Sequence, residues 1–554
     1  MKYLFISLVS SATLTAKSSL QKQIDDILLY QEQKNIYQDN LQKLQEKKFP
    51  YASLRPYELE KSAGGRCIKI DTIKFENISL ISENTLERLK KPYLHKCNTI
   101  ADLKNLVKKV NNIYIKNAYI TSRAYIKPQD LNSGVFVISA IEGKIEDIKD
   151  ENVNTKLIFF SPQNKPLNLR YLETGIEQLN RLESFKTTMS VNPSKQVGYS
   201  VITMHREQIS HPYHFDIGVN NYGSVKSGKY QWSASLSYED PLNLNDKITI
   251  GYNSTSKQDK ENKSRGLNIS YAIPIAKDYI KFTYSQFRYK QIVNGLNKDY
   301  LSSGKSKSYK IEIEHKLFHN TTQRGTVNYS LERKRNDNYL EGVYLDTSSS
   351  KLTIFKLSYT HKITHKKFQG YATLTYHQGL PWFGAKAPTN TSPKFKKLTL
   401  DISATKNFYP KSFVPITYNF SFHGQYARKN ILGSEQIGVG GIYSVRGFKN
   451  SGQLSGNIGF YARNELSFLF QKKWGSITPY IALDFGVVKH NENSYGGRIV
   501  GGALGVRTKI KGFSLEMFYT KALSDSNKNK KSKVDDEIKK HSQNFFGLNL
   551  SYHY

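Results

Sequence analysis

The chain has 554 residues, with 81 Lys and Arg against 46 Asp and Glu and a formal charge of +35. No apolar run reaches the roughly 18 residues of a bilayer-spanning helix, which excludes a helical membrane protein, and 12% aromatics exclude a wholly disordered chain. Two cysteines exclude a disulfide-dense scaffold or a zinc-ribbon array, so a soluble multidomain protein or a transmembrane β-barrel is left. A barrel alternates polar and apolar residues and hides from hydropathy averages.

Lys and Asn abound along the whole chain. That reads either as genomic base composition or as attraction to outer-membrane lipid, lipopolysaccharide or an acidic passenger. No single element concentrates the basic residues, so no nucleic-acid partner is expected.

Met1 and Lys2 precede YLFISLVSSATLTA, a positive start, a short apolar stretch and small residues. This pattern predicts a signal peptide over 1–16, with Ala12 as an alternative cleavage point. Export to an oxidising compartment would pair Cys67 with Cys97, and the crosslink would contribute about 3–4 kcal/mol on the loop-entropy argument. Residues 17–48 lack Pro and Gly and place Leu20, Ile24, Ile27 and Leu28 at helical spacing. They predict one amphipathic helix, open to reading as a coiled coil or a solvated helix. Residues 49–66, with Pro50, Pro56 and a Gly pair, predict a linker.

From Cys67 the pattern is compact α/β. CIKIDTIKFE predicts a strand, Ser82 caps a helix over 82–90, and Ile100, Leu103, Leu106, Val107, Val110 and Ile113 mark the apolar face of a second helix over 99–117. YITSRAYIKP and GVFVISAIEG predict two more strands, completing a module over 67–143. KIEDI, LRYLETGIEQLNRL, TTMSVNP and GYSVITMHRE repeat a weaker copy over 144–209.

Residues 210–554 alternate to the end of the chain. Ile416, Tyr418, Phe420 and Phe422 interleave with Thr417, Asn419, Ser421 and His423; Tyr309, Ile311 and Ile313 interleave with Lys310, Glu312 and Glu314. A soluble sandwich also alternates. Sixteen segments, turns that are by turns short and long, and the terminal run FFGLNLSYHY favour a closed membrane barrel. Two chemical motifs carry little. Gly223–Tyr230 nearly matches a P-loop, but Tyr230 replaces the Mg-binding hydroxyl and a strand follows. His361 and His365 lie four apart between lysines in a strand-like stretch, which reads as exposed histidines. No metal site, cofactor or catalytic residue is expected.

The stretch LGSEQIGVGGIYSVRGF over 432–448 resembles the signature of two-partner secretion transporters, the hemolysin secretion/activation (TpsB) family. NNYGSVKSGKYQ and YEDPLNLND are similar to that family's first barrel hairpin, YARNELSF to its twelfth strand and LDFGVV to its thirteenth. The two α/β modules then correspond to POTRA modules. The weak second module and a linker with only two prolines depart from the family pattern. The resemblance implies a transmembrane β-barrel of 16 antiparallel strands preceded by an amphipathic plug helix and two small α/β POTRA modules. It also implies export of an unfolded partner exoprotein (an adhesin, hemolysin or contact-dependent toxin) that the POTRA modules receive in the periplasm. The loop bearing Val445, Arg446, Gly447 and Phe448 would fold into the lumen, with Arg446 on Asp484.

Period-two geometry is compatible with this. Ile481, Leu483, Phe485 and Val487 share one face, leaving Asp484 inward; Leu466, Phe468 and Phe470 leave Arg463 and Glu465 inside as lumenal support. Gly438, Gly440, Gly441 and Gly447 would let the loop turn back. Without the resemblance, VRGF reads equally well as an extracellular turn with a solvated Arg. The resulting expectation is a monomeric outer-membrane translocator working without ATP. A barrel-assembly factor and a passive porin are the alternatives.

Overall fold

The structure, a computed structural model, describes residues 2–45, 51–60, 67–223, 228–256, 262–294, 298–388, 391–409, 414–448, 454–489, 496–526 and 544–554; in the first helix, side chains are described from Gln23 to Leu44. The core of the P-loop-like stretch, the ends of the predicted linker and the side chains of the predicted signal peptide lie outside this set.

Free of Pro and Gly, residues Lys2–Gln45 form one continuous helix. Ile24, Ile27, Leu29 and Tyr30 are buried, and so are the polar Asp26, Gln33 and Asn40. Burial on every side fits neither a solvated helix nor a two-stranded coil. It fits a helix enclosed by other parts of the chain, and here the barrel encloses it.

The first module has a mixed sheet: Thr72–Glu76 pairs parallel with Val135–Ile141, which pairs antiparallel with Arg123–Tyr125. Helices Glu83–Lys90 and Ile100–Lys116 accompany this sheet, and Leu86, Leu103, Leu106, Val110 and Tyr114 share a core with Ile73, Phe136 and Ile138. Thr99 and Asp102 form a full capping box on the second helix. Three local expectations need correction. Ser82 occupies the cap position, but its hydroxyl meets that of Thr85 instead of a backbone N–H. Ile100 stands in the first turn, away from the core, and is 57% exposed. The strand expected over 119–128 shortens to Arg123–Tyr125, because Ala118 takes φ 66° and Ser122 N–H bonds Tyr119 in a turn. A short ribbon, Ile68–Ile70 with Lys96–Asn98, carries the Cys67–Cys97 disulfide, whose Cα atoms are 5.2 Å apart.

In the second module Tyr199–Gln208 lies between Lys144–Glu151 (parallel) and Phe185–Pro193 (antiparallel). One helix, Leu169–Leu179, is capped by the Asn168 side chain and buries Leu172, Ile176 and Leu179. Irregular chain over 152–166 stands where the first module has its first helix.

Sixteen long antiparallel strands then close a barrel, from Tyr213–Asn220 to Phe545–His553. Two short pieces, Val343–Tyr344 and Phe470–Lys472, extend individual hairpins. The final strand pairs with the first, Leu550 opposite Val219 and Tyr552 opposite Ile217, so no edge is left open. Outward residues such as Tyr309, Phe282, Leu374, Ile481 and Phe546 are exposed as a lipid-facing surface must be. The short turns mark the periplasmic end, because the second module docks there: Asn245 Nδ2 donates to the Asn154 carbonyl and Ala276 N–H to that of Leu157.

Candidate functional site

Strand eleven is Ile416–Tyr426 and strand twelve is Ile458–Phe468, directly paired in the wall. The described residues between them, 427–448 and 454–457, fold into the lumen. Their own two-stranded ribbon, Ile437–Val439 with Leu454–Gly456, carries a dry cluster: Ile437, Val439, Val445, Phe448 and Leu454 pack on Tyr461, Val488 and Ile499 of the wall. Burial of these apolar groups drives the fold-back. Gly447 sits at φ 96°, and a Cβ there would lie 2.3 Å from the Lys521 carbonyl oxygen, so only glycine fits. Gly440 and Gly441 also take positive φ, whereas Gly438 does not; a side chain there would strike Gln33 of the plug helix.

Arg446 is 4% exposed and Asp484, on strand thirteen (Gly475–Val488), is 0% exposed. The guanidinium donates from Nε to Oδ2 at 2.6 Å and from Nη2 to Oδ1 at 2.8 Å, a fork on fork. The Arg446 main-chain N–H adds a third bond to Oδ2 at 3.0 Å. The remaining Nη1 reaches Glu465 at 3.0 Å. Glu465 also receives both Nη groups of Arg507, whose Nε donates to Glu516. A chain of alternating charge therefore crosses strands twelve to fifteen. Burial alone would lower the Arg446 pKa, but Asp484 and Glu465 outweigh it and hold the group firmly protonated.

The structure brings Val445, Arg446, Gly447, Phe448, Glu465 and Asp484 together. Arg463 is opposite Asp484 in register, yet its guanidinium lies 4.7 Å above the Tyr37 ring of the plug helix. It touches the plug instead of the carboxylate. Sequence reasoning missed Arg507, Glu516 and Gly501. A Cβ on Gly501 would lie 1.5 Å from the Arg446 carbonyl, so the wall is cut away there to admit the loop backbone. The visible signal was the run of small inward residues Gly501, Ala503 and Gly505 on one strand.

The plug helix meets both loop and wall. Tyr30 and Tyr37 pack on Tyr443 of the loop, with ring centroids 5.4 and 5.6 Å away. Tyr30 OH donates to the Tyr222 carbonyl. At its C-terminal end, Lys362 Nζ donates to the Lys43 carbonyl at 3.0 Å and the Gln369 amide to that of Leu44. These wall groups satisfy carbonyls that a helix end leaves without partners. Tyr371 OH adds a 2.6 Å bond to Asn40.

A second cluster joins the POTRA-like modules to the barrel. Glu177, on the helix of the second module, receives Lys316 Nζ, His319 Nδ1 at 3.0 Å and Arg324 Nη1 at 3.4 Å, all from the wall. Tyr51 of the linker donates to the same carboxylate at 2.7 Å. Burial works to raise the Glu177 pKa, but the His319 hydrogen bond and the neighbouring cations prevail and hold it well below the usual carboxylate range.

A closed barrel with a lumen-bound helix, a folded-back loop and two periplasmic α/β modules defines an outer-membrane polypeptide transporter. Residues 198–508 match the family described as Haemolysin secretion/activation protein ShlB/FhaC/HecB, residues 68–143 match the ShlB-type POTRA domain and residues 138–193 a POTRA domain, so the chain belongs to that secretion family. The outer membrane transporter CdiB of Dickeya dadantii is 31% identical, covering 83% of this chain and 84% of its own length. The hemolysin transporter protein HpmB of Proteus mirabilis is 30% identical, covering 83% and 82%. The solved structure of CdiB from Escherichia coli superposes with a TM-score of 0.81 at 25% identity, covering 97% of this chain and 98% of that one. The chain is thus an outer-membrane transporter of two-partner secretion, with its POTRA modules in the periplasm, and neither a barrel-assembly factor nor a passive porin is needed to account for it.

Proposed function

We propose that this transporter, as a monomer in lipid and lipopolysaccharide, passes one unfolded hemolysin, adhesin or contact-dependent toxin through its lumen without ATP. Residues 1–16 direct export and are removed. The plug helix vacates the lumen during transport, and the Arg446–Asp484 pair holds the loop in the transport-competent arrangement. Glu465 supports that seat from the wall through Arg446, and Arg463 holds the plug in its resting place through Tyr37.

The observation that carries this reading is the contrast inside the lumen. The loop is anchored by a fully buried, bidentate ion pair, which costs about 3–5 kcal/mol to break on one side. The hydrogen bonds that join wall and plug at Tyr30, Asn40, Lys43 and Leu44 are dispersed along the helix, each neutral or with one charged partner, each contributing about 0.5–3 kcal/mol and open to being given up one at a time. The loop is built to stay and the helix to leave. The client is supported by relatives that are themselves named hemolysin transporters. Proteoliposomes holding only this protein should pass an unfolded client added on the POTRA side. A strict requirement for nucleotide or an ion gradient would overturn the reading.

A further inference from the structure

The linker residues Tyr51–Glu60 do not hang free between plug and modules. They lie extended across helices of both modules. On the helix Ile100–Lys116, Asn105 donates to the Glu60 carbonyl at 2.8 Å and accepts from the Glu60 N–H at 2.8 Å. Two turns on, Asn112 does the same for Tyr57, donating at 3.0 Å and accepting at 2.6 Å. Between them Lys108 Nζ donates to the Glu58 carbonyl at 3.0 Å. Five main-chain atoms of Tyr57, Glu58 and Glu60 are therefore held by one helix face. Among the described ion pairs and ring contacts, the side chains of this stretch contribute the Lys108–Glu60 pair and Arg123 over the Tyr57 ring.

The spacing explains why this works. Asn105 and Asn112 are seven residues apart on a helix, about 10.5 Å along its axis. Tyr57 and Glu60 are three residues apart in an extended chain, about 10 Å. Any extended segment with two free N–H groups three residues apart fits the same pair of amides. Asn is also a poorer helix former than Ala, so two of them on one face weaken the helix unless they bind something. An Asn amide presents one donor and one acceptor side by side, like the edge of a strand.

We propose that the Asn105–Lys108–Asn112 face is a main-chain-reading docking surface for an extended, unfolded segment of the exported polypeptide, and that linker residues 57–60 are its intramolecular competitor. The inference rests on the reading that the POTRA modules receive an unfolded client. A sequence-tolerant site is what a client without fixed structure requires. Because the same linker tethers the plug, a client segment that takes the face also releases the tether.

The test uses the full chain in detergent and a fluorescein-labelled peptide, YASLRPYELE, copied from residues 51–60. The double variant Tyr57→Pro/Glu60→Pro removes both linker N–H donors and empties the face. Fluorescence anisotropy should show at least ten-fold tighter peptide binding to it than to the unaltered chain. A version of the peptide with its main chain intact but side chains reordered should bind within about three-fold. A version N-methylated at the positions of Tyr57 and Glu60 should lose at least ten-fold. Adding Asn105→Ala/Asn112→Ala should abolish the gain. Equal binding of the N-methylated peptide, or of the peptide to the emptied and unaltered chains, would overturn the proposal; the N-methylated arm needs no protein variant and stands even if one misfolds. Client passage through proteoliposomes is scored separately, so failure of the docking surface with transport intact is distinct from failure of the transport reading.

Discussion

Two carboxylates hold separate parts of this chain against the barrel, and they do so differently. Asp484 is completely enclosed and meets one guanidinium in planar, two-point register, with a main-chain N–H alongside. Glu177 meets an ammonium, an imidazole, a guanidinium and a phenol, each by one bond, and its side chain keeps 10% of its exposure. The first arrangement has one geometry and resists substitution. The second spreads its attraction over partners from three separate segments, so the loss of any one leaves the others. On the function proposed here, the first arrangement suits a loop that stays fixed and the second a joint about which linker and POTRA modules can adjust.

The contrast is broken most forcefully at Asp484. Asp484→Asn removes the two-point fork and leaves the buried Arg446 with only its single bond to Glu465, at a cost of about 3–5 kcal/mol to the seated loop. Ser444, fully buried in the loop, replaced by Cys reports the effect. Maleimide labelling should accelerate by roughly two to four orders of magnitude with Asp484→Asn, and secretion should collapse while the barrel still inserts. Arg446→Lys keeps the charge without the fork and should fall in between. Normal secretion by both variants would remove the lock. Glu177→Gln should do less, about 1–3 kcal/mol, between surface and buried values. Its expected signature is a broader distance distribution between spin labels on the second module and the barrel, with the Ser444→Cys labelling rate unchanged. A labelling rate that follows Glu177→Gln would mean that the two clusters are one.

How far these clusters could be read in the sequence follows from what carried them. Asp484 was legible because strand periodicity assigns a face to each residue, and VRGF because its residues resemble a family signature. The terminal aromatic strand gave barrel closure in the same way. Glu177 was not legible. It sits on a helix whose buried face was visible, but its partners come from strands more than a hundred residues away, and no local period encodes that distance. Gly501 escaped for a related reason: its meaning lies in the carbonyl of another segment. The linker read as a tether because Pro50 and Pro56 say only that a chain is extended. What it lies upon depends on Asn105 and Asn112, which in a helix look like ordinary polar positions.

Acid gives a smaller and graded test. The Glu177 pKa is lowered in the folded chain, so its contribution is complete above the unfolded carboxylate value of about 4.3 and fades only as pH falls below that toward the folded value. As far as Glu177 governs them, the spin-label distances should therefore be constant from about pH 7 to pH 5 and broaden only in stronger acid. Glu177→Gln should remove the acid-dependent part. Broadening that begins near pH 6 would assign the joint to a histidine instead.

The smallest expected effect distinguishes the joint's two jobs. Tyr51→Phe deletes the phenol bond to Glu177 but keeps the ring that packs, tilted, with its centroid 4.0 Å from that of His319 and lies beneath Arg170. Lys316, His319 and Arg324 still satisfy the carboxylate, so the module–barrel distances should hold, and the loss is about 1 kcal/mol. That loss falls on the linker alone, because Ala52 keeps only its bonds to Glu173 and Arg170. The plug tether should loosen slightly, giving more frequent brief openings in single-channel recordings, by roughly five-fold for 1 kcal/mol. If Tyr51→Phe instead widened the module–barrel distances as much as Glu177→Gln does, the linker would be part of the hinge itself and not a strap laid across it.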